Sequence, residues 1–547
     1  MYQPELAPIA DNLAASALVA ILPLLAVFVL IGVVRMKAHW AGLIGVGVAL
    51  AVAIFGYNMP AGMAVSSGLH GALFGIFPIT WIVLTAIFYF ELTVASGHHD
   101  DLMKTFNAIS FDPRVLGLLI AFSFCSLLEA LAGFGAPIAI VVAMLIALGF
   151  PPVKAAIIAL VGNTMAVPFG AMATPVITGA NLTGIDLGNM SFTVTMITGT
   201  LVGLVPFLML AIMDGVKGLK EVWPLALVLG ASFAALTIAS AKFGAPGLVN
   251  MVAGLGSLAI GVGMLFIWKP KGAEAALQRV TGKDAAQLPK EKVTRSEVTW
   301  ALFPYVLIIV VFGVTQLVTP VKNWLASTNI LIEWPLLSND GVAQVLNAHG
   351  EPSSSVVYNF QWLSSPGTIL LITGIAVGLI YGMGMKKTLG VFGQQLYKLR
   401  WTFVTIGAVL ALAYIMNISG QTLTIGTFIA GAGKIFPFLA PLLGWIGGAV
   451  TGSGTSTTAL FSNLQQAAAN QIGVNENLLV AANTAGGAAG KMISPQNLAI
   501  AAGAMPESGK EPEILRKAAP WSALFIVAMC LLVGLQATGP LTWMIPA

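Results

Sequence analysis

The chain has 547 residues, 57% of them hydrophobic and only 8% charged, with a mean hydropathy of +0.91. So little charge cannot cover a water-soluble protein of this length, which leaves the bilayer as the main solvent. The two cysteines, Cys125 and Cys530, both lie in apolar runs and exclude a disulfide framework or a paired-cysteine metal site, while the net charge of +4 matters less than where the charges fall.

In chain order, about twelve crossings and two re-entrant hairpins are predicted. The first apolar run, Leu13–Val34, reads as a crossing and not a signal peptide, because Glu5 and Asp11 precede it and it exceeds the length of a signal core. Further crossings are expected near 38–57, 70–96, 155–179, 192–213, 222–241, 247–268, 299–319, 366–385, 401–418, 478–503 and 518–537. The hairpins are expected at 115–150 and 437–471. The stretch 60–96, with Pro78 inside it, fits one crossing or two. One crossing places Arg35, Lys37, Lys104, Arg114, Lys154, Lys217 and Lys220, the seven basic residues from Lys269 to Arg295, and those at 386–400 and 510–517 on a single side. Only Lys242, Lys322 and Lys434 fall on the other. The positive-inside rule then puts the N-terminus outside and the 269–298 loop in the cytoplasm. The loop 320–365, with acids Glu333, Asp340 and Glu351, lies outside as an insertion or a cap.

Two segments 320 residues apart share one pattern: NTMAVPFGAMATP (Asn163–Pro175) and NTAGGAAGKMISP (Asn483–Pro495). About thirty residues before each stands a glycine knot between apolar arms, GFGAP (Gly133–Pro137) and GSGTS (Gly452–Ser456). Ser96-Gly97 matches Ser419-Gly420, and Thr105-Phe106 matches Thr427-Phe428. The first hairpin begins and ends at cytoplasmic charges and the second outside, so the repeats are inverted, as in alternating-access carriers. The expected fold is an all-α polytopic membrane protein of elevator type. It divides into N-terminal helices (1–69), a first repeat (70–241), linking helices (242–365) and a second repeat (366–547). The broken helices are 155–179 and 478–503.

Interrupted helices survive in lipid only where protein or a water-filled cavity satisfies their freed backbone groups. Gly133, Gly135, Gly452 and Gly454 permit tight turns, and helix N-termini at these breaks suit a carboxylate. Ser453, Thr455, Asn163, Thr164, Asn483 and Thr484 add hydroxyls and amides that can clasp a small polar anion. Small residues also serve plain helix packing, but two matched knots, each followed by a matched break, favour a site. Lys491 has Ala171 as its counterpart, and a lysine at that depth costs about 3 kcal/mol. It either attracts the substrate carboxylate or tethers carbonyls freed by the break. Glu129, one turn before Gly133, has apolar neighbours that suit it either to carry a proton or to fasten the hairpin. Glu91 and Asp214 read as structural. His70, alone among the histidines, falls near the bilayer and reads as packing. His98 and His99, beside Asp100 and Asp101, read as a solvated loop.

Neighbouring blocks carry a resemblance. EALAGFGAPIAI (Glu129–Ile140), AIMDG (Ala211–Gly215) and EVWP (Glu221–Pro224) stand in the first half. TGSGTS (Thr451–Ser456), ANTAGG (Ala482–Gly487), GKMISPQNLAIA (Gly490–Ala501) and LTWMIP (Leu541–Pro546) stand in the second. Together they resemble the bacterial L-lactate permease family nearly end to end. The resemblance implies inward carriage of L-lactate, D-lactate and glycolate with protons across the bacterial inner membrane. It implies small-molecule, proton and lipid partners, no nucleic acid, no cofactor and no metal, and a scaffold able to form a homodimer. It marks Gly133–Pro137, Asn163, Thr164, Ser453–Ser456, Asn483, Thr484 and Lys491 as the anion-holding residues. Relatives often carry an acid in the second tip where this chain has Gly454, and Ser-Asn where it has Thr457-Thr458. That departure gives Glu129 more weight as proton carrier. A sodium-coupled carrier of another small carboxylate is the alternative. The inverted repeat argues against a channel, and no constellation for enzymatic chemistry stands in the chain.

Overall fold

The computed structural model describes residues 1–131, 133, 135–283, 294–339, 342–346, 356–507 and 510–546. Phe134, Lys290, Lys292, Asp340 and Glu351, named above, lie outside the described residues. Helices α1 (Leu13–Ala20), α2 (Leu22–Phe28), α3 (Ala38–Ala51), α4 (Ala61–Phe74) and α5 (Trp81–Ala95) open the chain. An amphipathic α6 (His98–Ile109) leads to α7 (Pro113–Leu118), a π-helical stretch and α8 (Cys125–Leu131), from which α9 (Ala136–Leu148) returns. Then come α10 (Pro152–Asn163), α11 (Gly170–Thr183), α12 (Leu187–Val202), α13 (Val205–Phe243), α14 (Val249–Ile267) and α15 (Ala273–Thr281). Helices α16 (Arg295–Leu317) and α17 (Thr319–Ser327) precede the strands β1 (Ile330–Glu333), β2 (Ser338–Asn339), β3 (Val342–Ala343) and β4 (Val357–Phe360). The chain closes with α18 (Pro366–Ile380), α19 (Gly384–Lys398), α20 (Arg400–Ile418), α21 (Gln421–Ala430), α22 (Phe436–Thr451), α23 (Gly454–Ile472), α24 (Glu476–Lys491), α25 (Pro495–Gly503) and α26 (Glu511–Thr538).

Local chemistry sets many of these starts. Pro113, Pro137, Pro152, Pro366, Pro437 and Pro495 sit in first turns, where the missing N–H is not needed. Asp112, Asp186, Ser365, Ser453, Asn475 and Ser494 cap the backbone that follows them.

Eleven stretches among the described residues are long and apolar enough to cross a membrane. The expected crossings at 192–213 and 222–241 are one continuous run, Leu187–Phe243. It reverses at Gly215 (φ 62°, ψ −146°), so that Gly230 closes on the Gly203 backbone. The crossing expected from residue 70 starts at Ala61 and breaks at Phe77, whose carbonyl accepts a hydrogen bond from the Tyr358 hydroxyl at 2.7 Å. The all-α expectation meets an exception in the long loop. There β1 pairs with β4 and β2 with β3, each antiparallel. His98 and His99 open α6 and are not loop; the His98 ring packs 4.3 Å from Tyr381 and 3.2 Å from Asp101. His39 also lies in a span, stacked on Trp401 at 4.4 Å, while His70 stacks on Trp334 at 4.5 Å.

Contacts sort the molecule into two ends. At one, Tyr2 bonds the backbone of Gln344 and its hydroxyl reaches the Ser419 carbonyl, Tyr57 bonds Thr424, and Ser66 bonds Pro335. The N-terminus and the long loop therefore share an end. At the other, Lys387 bonds the Ala95 carbonyl and Arg114 gathers several chain segments. Fully buried, Arg114 pairs with Asp112 at 2.8 Å, Asp214 at 3.1 Å and Glu221, and donates to the Lys271 carbonyl; Arg279 joins Asp214 at 2.7 Å. Both ends of the α7–α9 segment sit here, since Lys283 donates to the Ala147 carbonyl. Arg114→Met strands the buried Asp112 carboxylate and leaves Asp214 and Glu221 to Arg279 alone, at a cost of about 3–5 kcal/mol. The expected result is a clear fall in the thermal unfolding midpoint of the detergent-purified protein; an unchanged midpoint would mean that the cluster is not structural.

Candidate functional site

The tips and breaks meet. Helix α8 stops at Leu131 and α9 starts after Gly135, whose φ of 92° belongs to the left-handed region that glycine adopts freely. Between α22 and α23 the chain turns at Gly452 (φ 68°), and the Ser453 hydroxyl caps α23 by accepting from the Ser456 N–H at 3.2 Å. The first break is a 3-10 stretch, Thr164–Phe169, followed by three left-handed residues, Ala171, Met172 and Ala173. Their freed carbonyls find partners: Asn250 donates to Ala166 at 2.6 Å and the Thr174 hydroxyl to Ala171.

The second break is shorter than the sequence pattern suggests. Helix α24 runs unbroken through Asn483 to Lys491, and only Met492–Ser494 interrupt the path to α25. The Lys491 carbonyl freed there takes hydrogen bonds from Asn497 at 2.8 Å and Ser494 at 3.0 Å. The glycines that suggested a longer break do something else: Gly486 and Gly490 let α24 touch the Pro441 and Trp445 carbonyls of α22.

The halves interleave at the centre. The first tip faces the second break, with Gly135 against Asn497 and Ile500. The second tip faces the first break, with Gly454 against Val167 and Pro175. Between them lies a cavity of ≈ 20 Å³, little more than room for one water, whose lining includes Glu129, Gly133, Gly170, Ser453, Thr455 and Lys491.

Lys491 Nζ donates to Glu129 Oε1 at 2.9 Å, with both side chains 4% exposed or less. This buried ion pair joins the two halves. Gly170 makes space for it, because a Cβ there would stand 2.7 Å from Glu129 Oε1. Among the described residues, the second carboxylate oxygen of Glu129 is buried without a hydrogen-bond partner. One carboxylate faces one ammonium, and the N-terminal end of α23 (Gly454 and Thr455) lines the same cavity, so the surroundings favour added negative charge.

Asn163 and Thr164 line a smaller cavity beside the first, which shares Val167 and Lys491 with it. Asn483, Thr484 and Gly135 line neither. Thr484 bonds Thr458 at 3.2 Å inside the helix packing, and Asn483 is buried there with no partner for its amide among the described residues. Sequence reasoning missed Gly170, Asn250 and Asn497. Gly170 had a signal, since it recurs as Gly490 at the same offset of the repeated pattern.

Paired tips and breaks enclosing a charged cavity, within a bundle of long apolar helices, define a multi-pass integral membrane transporter. The sequence profile of the L-lactate permease family matches residues 16–538. The glycolate permease GlcA of Escherichia coli (strain K12) is 38% identical over 555 residues, covering 98% of this chain and 97% of that protein. The L-lactate permease of Bacillus subtilis (strain 168) is 35% identical over 563 residues, with 98% and 99% covered. That of Escherichia coli (strain K12) is 37% identical over 551 residues, with 98% of each covered. The chain belongs to the L-lactate permease family, a family of transporters and not enzymes.

Proposed function

We propose that this chain imports L-lactate, D-lactate and glycolate by proton symport across the bacterial inner membrane. In this reading the basic end faces the cytoplasm and the N-terminus lies outside. The two re-entrant hairpins and the two broken helices move as one elevator body, inverted in the two repeats. They slide against a scaffold of the remaining helices, which sits in lipid and carries the homodimer contact. The observation that carries the reading is the Glu129–Lys491 pair, buried in the central cavity of a chain similar end to end to lactate and glycolate permeases.

The chemistry is an exchange of partners. A substrate carboxylate entering the cavity competes with Glu129 for Lys491, and Glu129 takes a proton as it lets go. Ser453 and Thr455 meet the substrate hydroxyl. The loaded cavity then holds the same net charge as the empty one, so moving it through lipid carries no added charging cost.

Uptake of radiolabelled L-lactate into proteoliposomes under an imposed proton gradient tests this, with glycolate, pyruvate and succinate as competitors. The expected result is uptake that follows the gradient, ignores sodium and is blocked by glycolate. Uptake that needs sodium, or no lactate uptake, would overturn it.

A further inference from the structure

A second chamber, of about 210 Å³, lies between the α22–α23 tip and helices α2, α3 and α20. Ser453 lines this chamber and the ion-pair cavity alike, so the tip itself is the partition between them. The chamber's lining contains Ala38 and Trp401, at the starts of α3 and α20, the ends that carry Lys37 and Arg400. Trp401 is 48% exposed and Gln496, on the opposite wall, is exposed as well.

The two tips are held differently. The arm of the first carries the ion pair to Lys491. In the second, the side-chain hydrogen bonds of Thr451, Ser453 and Thr457 all close within the hairpin, and the Gly452 N–H bonds the Gly448 carbonyl of the same arm. Its contacts with the rest of the protein are packing contacts: Gly452 against Gln496, and Gly454 against Val167 and Pro175. The second tip can therefore swing without breaking a hydrogen bond to a neighbour. The central cavity, at ≈ 20 Å³, cannot admit an acid of six heavy atoms unless one of its walls moves.

We propose that the 452–455 tip is the gate at the basic end, and that the 210 Å³ chamber is a transit site for a small hydroxymonocarboxylate on its way to or from the ion pair. This rests on the transport reading above. The lining fits that class of ligand. Hydroxyls of Thr402, Thr405 and Ser456 and the Gln496 amide offer hydrogen bonds to a carboxylate and a hydroxyl, and Val27 and Ile406 receive a methyl group. Among the described residues no charged side chain lines the chamber, so a dicarboxylate, with two charges to desolvate, is disfavoured there against a monocarboxylate with one.

The test uses the full chain with Cys530→Ala, leaving the fully buried Cys125 in place. Thr405→Cys and Ser456→Cys are introduced singly and exposed to a membrane-impermeant thiol reagent in right-side-out and in inverted membrane vesicles. Both thiols are expected to react from the basic end alone. L-lactate at ten times its Kd should slow the reaction about tenfold, and succinate should not. Thr405→Trp, which fills the chamber, should slow uptake while leaving the unfolding midpoint unchanged. Thiols that react equally with and without lactate, in vesicles that transport it, would overturn the chamber alone, as would normal uptake by Thr405→Trp. Vesicles of the Cys530→Ala parent that take up no lactate would overturn the transport reading, and the chamber with it.

Discussion

Lys491→Met is expected to reduce lactate uptake to that of empty vesicles and to lower the unfolding midpoint. The second effect follows from burial. With the ammonium gone, the Glu129 carboxylate stays buried without its counter-charge, and breaking a buried pair costs about 3–5 kcal/mol. Glu129→Gln should destabilise less, because an amide needs no counter-charge. It should keep exchange of lactate between the two sides while losing the response to an imposed proton gradient. The double variant Glu129→Gln, Lys491→Met separates stability from function: its midpoint should return toward that of the parent while uptake stays absent. Transport by the double variant driven by a proton gradient would sink the exchange of partners.

Gly486→Val is expected to abolish recovery of folded protein. Helices α22 and α24 approach through glycines on both sides: Gly444 against the Asn483 carbonyl, Gly448 against Gly487, Gly486 against Pro441 and Gly490 against Trp445. An added Cβ at any of these overlaps a backbone oxygen, which has no rotamer by which to move away. The helices must part instead, and overpacking of this kind costs about 1–3 kcal/mol or more at a single site. The parting would also carry Lys491, the last residue of α24, away from Glu129. Gly390→Ala, in the interior of α19 with nothing near its Cβ, is the control. It should be neutral or stabilise by about 0.4–1 kcal/mol. A well-folded Gly486→Val protein with normal uptake would mean that the seam is not tight.

The spans and tips were legible in the sequence because apolar length and left-handed glycines are local signals. Gly97 and Gly420, matched in the sequence, have φ angles of 88° and 91° and open α6 and α21 alike. The second break was misjudged from Asn483 to Pro495 because glycine has two uses in a membrane. The same residue type that loosens a turn at Gly452 tightens a helix contact at Gly486, and composition does not separate the two. His98 was misread as loop because a polar cluster after glycine looks the same whether it caps a helix or dangles. Glu129 and Lys491 were each visible as unusual acid and base. Their pairing was not, since it depends on how two halves of the chain fit together.

That fit has a consequence for biosynthesis. The paired residues stand 362 positions apart, so at about 5–20 residues per second their synthesis is separated by roughly 20–70 s. During that interval Glu129 is already embedded, and the first hairpin lacks the wall that Asn497 and Ile500 will supply. The Arg114 cluster faces no such delay, because its partners all lie between Asp112 and Arg279. The order of assembly is thereby written into the chain: the knot at the basic end can close while the ribosome is still at work, and the cavity is completed last.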